Sequence, residues 1–235
     1  MKYFIPSFIL LAFISSCFVP KESETDILEN GRYKNISAGR KPVFAQFEDS
    51  VIRLYTLSKK GTLFFTDKNN EQISLYPEIQ SSSALASLRL LKTTFDLDII
   101  IIPFKYRFAV AGLPDQFNTN FSGAFYTGIR NDVYNLKYKE YILAEPQRKI
   151  SHYGFGFGVF GGVGSTAMNP WVTRNSIVIE YDGFVFVTGG GGLIAMNNLS
   201  FGVGVGIDHL MDKNRKQWIY RGQPWIGLTI GLNLN

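Results

Sequence analysis

From residue 51 onward apolar residues recur largely at every second position, with turn-forming residues between the runs, which is the pattern of many antiparallel strands. The spacing predicts strands over 51–57, 61–66, 97–111, 118–130, 150–165, 174–182, 184–196, 199–211 and 217–234. Lys59-Lys60-Gly61, Asp182-Gly183 and Asn197-Asn198 suit tight hairpins, because Gly and Asn adopt positive φ at low cost. Asp212 to Lys216 (DKNRK) makes a longer, charged turn. Residues 84–92 (ALASLRLLK) read either as a short helix or as one more strand with Leu88, Leu90 and Lys92 on one side. The expected count is about 8 to 10 strands.

Which face looks where follows from the residues opposite the apolar ones. Leu199, Phe201, Val203, Val205 and Ile207 alternate with Ser200, Gly202, Gly204, Gly206 and Asp208. Ile226, Leu228, Ile230, Leu232 and Leu234 alternate with Trp225, Gly227, Thr229, Gly231 and Asn233. A water-facing strand surface favours Lys, Glu and Thr, since glycine there weakens the strand without return. A largely glycine face fits the inside of a narrow closed sheet, with Leu, Val, Ile and Phe facing hydrocarbon. The expected fold is therefore all-β, an antiparallel up-and-down transmembrane β-barrel. Along 97–111, Phe104, Tyr106, Phe108 and Val110 share one face and Lys105, Arg107 and Ala109 the other; the same parity, continued backwards, puts Asp98 outward. A lipid-facing Lys or Arg near the bilayer midplane costs ~2–4 kcal/mol, so charge parity assigns the interior. Lys105, Arg107, Glu180, Asp182 and Asp208 are the candidate lumen residues, with opposite signs placed to pair across it. Trp171, Tyr181, Trp218, Tyr220 and Trp225 lie near predicted strand ends, where amphipathic rings favour a membrane interface.

Composition sharpens this picture at a few points. The 235-residue chain is 46% hydrophobic and 15% aromatic, with Gly 23, Phe 20 and Tyr 12, a bias that favours strands over helices. Its formal charge of +5 is spread without a block of five or six like charges, which gives no nucleic-acid footprint. One cysteine and two histidines exclude a disulfide framework and give no metal-site pattern, so no cofactor or metal is expected. Residues 1–16 (MKYFIPSFILLAFISS) carry one cation and an apolar run from Phe4 to Ile14, too short to span a bilayer and suited to a secretory signal peptide. Ile14-Ser15-Ser16-Cys17 resembles a bacterial lipobox and makes Cys17 the candidate lipidated residue. The polar stretch that follows reads as a tether over 17–42, leaving 43–235 for the barrel.

Thr166-Ala167-Met168-Asn169-Pro170-Trp171, the segment 198–209 (NLSFGVGVGIDH) and the segment 218–235 (WIYRGQPWIGLTIGLNLN) resemble the small outer-membrane β-barrel proteins of Gram-negative bacteria, over roughly residues 97–235. The resemblance implies location in the bacterial outer membrane and contact with its lipid, and it implies no activity. Gly189–Gly192 and Gly154-Phe155-Gly156-Phe157-Gly158 lack the GK[ST] of a phosphate loop and read as strand glycines. Ser151-His152 and Asp208-His209 hold residue types of nucleophilic catalysis without its spacing. The expectation is a non-enzymatic outer-membrane barrel, structural or a narrow pore. Its alternatives are a lipid-anchored soluble β-barrel that binds a small apolar ligand, and an outer-membrane lipid-modifying enzyme. Fractionation of Cys17→Ala separates the first two. A spanning barrel stays in the carbonate-washed membrane without its anchor, and release into the soluble fraction would establish a tethered soluble domain.

Overall fold

The computed structural model describes residues 28–48, 51–60, 63–75, 88–139, 147–196 and 199–233. The expected signal peptide (1–16), Cys17 and the Asn197-Asn198 position expected to turn lie outside these described residues. The described chain is all-β, with eleven strands: β1 (Gly31–Asn35), β2 (Lys41–Phe47), β3 (Val51–Lys60), β4 (Leu63–Leu75), β5 (Leu88–Arg107), β6 (Gln116–Asn118), β7 (Ser122–Lys139), β8 (Gln147–Met168), β9 (Tyr181–Met196), β10 (Leu199–Leu210) and β11 (Pro224–Asn233). Among the described residues no helix is long and apolar enough to cross a membrane.

All strands belong to one antiparallel sheet, ordered β11-β10-β9-β8-β7-β5-β1-β2-β3-β4, with the three-residue β6 beside the end of β5. β11 also pairs with β5 from Trp225↔Arg107 to Asn233↔Asp98, so pairing among β5, β7, β8, β9, β10 and β11 returns to its start. β5 is long enough for two partners on this edge. Its last ten residues take β11, while Leu90 and Leu91 near its start take Asn35 and Lys34 of β1. The sheet therefore has an upper region, where the six strands pair in turn, and a lower one. In the lower region the beginnings of β5 and β8 and the end of β7 continue into β1–β4. Each has its own core: Ile100, Phe160, Val185, Val187, Leu193 and Trp225 are among the residues that fill the upper one, and Tyr33, Val43, Ile52, Leu90, Tyr134 and Leu136 the lower one.

Several expectations need correction. Gly31–Asn35 and the start of β2 fall in the polar stretch read as a tether, yet they enter the sheet. Tyr33 is buried there and supplies the apolar contact that no sustained period announced. Of the strand expected over 174–182, residues 174–180 form none, and Tyr181 and Asp182 begin β9. Arg174 and Asn175 both have positive φ, which turns the chain over the upper end before β9 begins, and Asp182-Gly183 lies within β9 opposite Ala167 and Thr166. Residues 88–92 take the strand alternative, as the start of β5.

A bulge at Pro103 reverses the parity of β5. Leu228 pairs with Phe104 and Ile230 with Ile101, so Thr229 alone faces both Ile102 and Pro103. Proline has no N–H to give to the ladder and so fits at such an irregularity. Below it Asp96, Asp98, Ile100 and Ile102 are buried; above it Lys105 and Arg107 are. Ile99 and Ile101 face outward while Ile100 and Ile102 join the buried layer, and Asp98 lies on their inward side, opposite to the sequence expectation.

A row of cross-strand glycines explains the glycine face. Starting from Asp96 on β5, the pairs run Gly128, Gly158, Gly191, Gly204 and Gly227, and reach Lys105 on β5 again. Backbones come very close here. A Cβ on Gly158 would lie 2.2 Å from the Thr127 carbonyl oxygen, and one on Gly128 would lie 2.4 Å from that of Phe157. Space is as tight at Gly162, where a Cβ would lie 2.1 Å from the Gly123 carbonyl oxygen, whereas nothing lies within 4 Å at Gly161. Gly162→Ala is expected to lower stability by ~1–3 kcal/mol, and Gly161→Ala to stay within about 1 kcal/mol of the wild-type chain, as read from denaturant midpoints.

Candidate functional site

The inner face of the upper region carries two groups of charged side chains separated by apolar ones. The upper group gathers three of the residues expected in the interior. Lys105 and Arg107 stand on β5 above the bulge, and Asp208 ends the glycine-lined inner face of β10. Lys105 Nζ donates to both oxygens of Asp208 at 3.0 Å, Arg107 Nη2 donates to Oδ2, and the indole Nε1 of Trp225 donates to Oδ1 at 2.9 Å. All four residues are at most 1% exposed. Aromatic rings take over where hydrogen bonds stop: Lys105 Nζ lies 4.9 Å from the Trp225 ring, and the Arg107 guanidinium lies 5.2 Å from Trp218 and 5.0 Å from Tyr220. Two cations around one carboxylate thus carry their surplus charge against ring faces, a favourable arrangement in a desolvated site. The connection 211–223 places Trp218 and Tyr220, and Ile219 N–H donates to the Val172 carbonyl at 3.0 Å, joining this connection to 169–180 over the cluster.

Glu180 and Asp182, the other two candidates, are not part of it. Both are exposed, and Asp182 shares the outward face of β9 with Phe184 and Phe186. Asn120 Nδ2 donates to Asp182 Oδ1 at 3.4 Å. Of the five aromatic residues expected at an interface, Trp171 is exposed, whereas Trp218, Tyr220 and Trp225 are buried over the cations.

The lower group was missed by sequence reasoning. Arg130 Nε donates to both oxygens of Asp132 at 3.0 Å, and its Nη1 reaches Asp96 at 3.4 Å. His152 Nε2 lies 2.7 Å from Asp132 Oδ1, and its ring stacks on Tyr134 at 4.7 Å. Asp98 sits between this group and the apolar layer. It is completely buried, and neither of its oxygens has a hydrogen-bond partner among the described residues. Ser200 lies beside it without closing a bond of standard geometry, and the Tyr126 hydroxyl, on the residue that pairs with Asp98 across β5 and β7, is likewise unpartnered. The signal that could have revealed Asp98 was Pro103 itself, read as an ordinary strand position.

At the edge of the lower region, Lys92 Nζ meets Glu29 at 2.9 Å and holds that exposed carboxyl below its usual range, chiefly through this hydrogen bond. No three His, Cys, Asp or Glu side chains among the described residues converge to hold a metal ion. The second histidine, His209, is exposed beside Thr188 at 3.3 Å. No protein-family model, curated protein or solved structure matches the chain.

The two groups have opposite responses to neutralisation. Asp208→Ala leaves two buried cations without their carboxylate and is expected to cost ~3–5 kcal/mol. Asp98→Asn replaces, at constant shape, a buried carboxyl whose oxygens accept no hydrogen bond among the described residues and is expected to stabilise by about 1 kcal/mol or more. Denaturant midpoints of the two variants against wild type check both signs.

Proposed function

We propose that this chain is an integral outer-membrane protein whose six cyclically paired strands close into a plugged β-barrel, and whose remaining sheet is held at one membrane face. The observation that carries the reading is the distribution of exposed apolar side chains. Phe95, Phe125, Ile129, Phe157, Val159, Val203 and Leu232 are 56–72% exposed, and all lie on the six paired strands, opposite the buried charges. On β8 this belt runs from Tyr153 to Val163 and on β9 from Phe184 to Ile194, eleven positions each, which is the ~9–11 residues a tilted strand needs to cross hydrocarbon. Below it the outward positions turn polar at one level, with Thr93 Oγ1 donating to Asn131 Oδ1 at 2.8 Å.

Closure is supported by the glycine row, which leaves β5 at Asp96 and returns to it at Lys105, nine residues further on. Closed sheets of tilted strands require such a stagger. The interior so enclosed is filled rather than open: Trp225, Lys105, Arg107, Ile100 and Ile102 are all buried. The three upper connections, 108–115, 169–180 and 211–223, are long. Barrels of this kind keep longer loops outside and short turns on the periplasmic side, so β1–β4 and the extensions of β5, β7 and β8 face the periplasm. The chain then serves as a non-conducting membrane anchor that presents a β-sheet there.

Two measurements test this. The membrane-extracted protein should shift its gel migration on heating and stay in the pellet after carbonate washing. In planar bilayers it should give no steady conductance, while Arg107→Gly combined with Trp218→Ala should open a detectable one. Release by carbonate would sink the membrane reading, and a wild-type pore would sink the plug.

A further inference from the structure

Beside the upper rim, the connections 169–180 and 211–223 form a cleft of about 530 Å³ lined by Ile177, Val178, Ile179, Tyr181, Asp212 and Lys213, together with Asn214. One wall is unusually greasy for a connection. Val178 is 87% and Ile179 76% exposed, and Met211 and Phe184 continue the exposed apolar surface down onto the belt. The other wall carries the cation Lys213, the first residue of a 3-10 helix (Lys213–Lys216) that also displays Arg215 and Lys216 to solvent just outside the cleft lining. None of these three forms an ion pair among the described residues. The single acid of the cleft is already engaged: Asp212 accepts from Asn214 N–H at 2.7 Å and from the Tyr181 hydroxyl at 2.5 Å, and Asn214 Nδ2 donates to that hydroxyl at 2.8 Å. The carboxylate thus fixes the helix to the start of β9 and leaves the cations free for an external anion.

Apolar surface continuous with the lipid belt, meeting unpaired cations at its upper margin, is complementary to one kind of occupant. We propose that this cleft binds an anionic membrane lipid with a phosphate headgroup, its acyl chain against Ile177, Val178 and Ile179 and its phosphate over Lys213, Arg215 and Lys216. The inference rests on the membrane reading above, and the two fail differently. Cations near an anionic lipid surface each add a modest attraction that salt screens.

The test reconstitutes the full-length protein into vesicles of phosphatidylcholine with and without phosphatidic acid, and counts bound lipids by native mass spectrometry after extraction. Enrichment of phosphatidic acid is expected, falling with added salt. It should drop about tenfold to a hundredfold in a Lys213→Gln, Arg215→Gln, Lys216→Gln triple variant, and should also weaken in Val178→Asn, Ile179→Asn. Soluble glycerol phosphate should not displace the lipid, because it lacks the chain that the apolar wall holds. Displacement by glycerol phosphate, absence of enrichment, or enrichment unchanged in a correctly inserted triple variant would overturn the lipid site alone. Failure of the wild-type chain to insert into either vesicle would overturn the membrane reading.

Discussion

Close approach of strand backbones is the constraint on which the upper region depends. Along the row from Gly128 to Gly227 the sheet bends so sharply that a single methyl group would meet a neighbouring carbonyl oxygen or side chain at 3.0 Å or less. A sheet so curved has a crowded inner surface and a spread outer one. The inner surface accommodates glycine and a few large side chains set above and below the row. The outer one holds Phe, Ile, Leu and Val at most alternate positions of β5, β8, β10 and β11. The segregation of residue types across the strand is therefore a result of curvature as much as of solvent.

Curvature alone would not have placed the charges, and here the Pro103 bulge matters. Without the extra residue, β5 would turn one of its two charged pairs, Asp96 and Asp98 or Lys105 and Arg107, outward among Leu97, Ile99 and Phe104. With it, one strand delivers carboxylates below the apolar layer and cations above it. Counter-charges come from other strands: Arg130 on β7 pairs with Asp96, and Asp208 on β10 pairs with both cations. Asp208 is better satisfied than Asp98, with four donor contacts against none, and the two ends of the interior differ accordingly in what holds them together.

The strands with strict alternation were legible in the sequence. β10 falls close to its expected span, β11 forms only over Pro224–Asn233 of the expected 217–234, and Lys105, Arg107 and Asp208 meet on the face that their parity assigned to them. Legibility ended where parity was broken or where partners came from far along the chain. Asp98 was misplaced by counting through Pro103. Residues 174–182 alternate in hydropathy but are governed by two left-handed residues, Arg174 and Asn175, which periodicity does not register. Trp225 lies at the start of β11 as expected, whereas Trp218 and Tyr220 lie within the connection before it, and all three rings cover buried cations, a choice set by Lys105 and Arg107 more than a hundred residues earlier. β1 is a strand because β5 and β2 flank it, and five residues of mixed polarity carry no local record of that.

β5, β7 and β8 run for 20, 18 and 22 residues without interruption, and they serve both cores. A domain hung from a linker would swivel and sample many heights. Here the same hydrogen-bonded ladder passes from one core to the other, so no joint separates them. Tilting the upper region tilts the lower sheet by the same angle, and a pull on β1–β4 is borne directly by the strands that cross between the cores. Whatever meets that sheet does so at a fixed distance and azimuth, like a bracket cast in one piece with its wall plate.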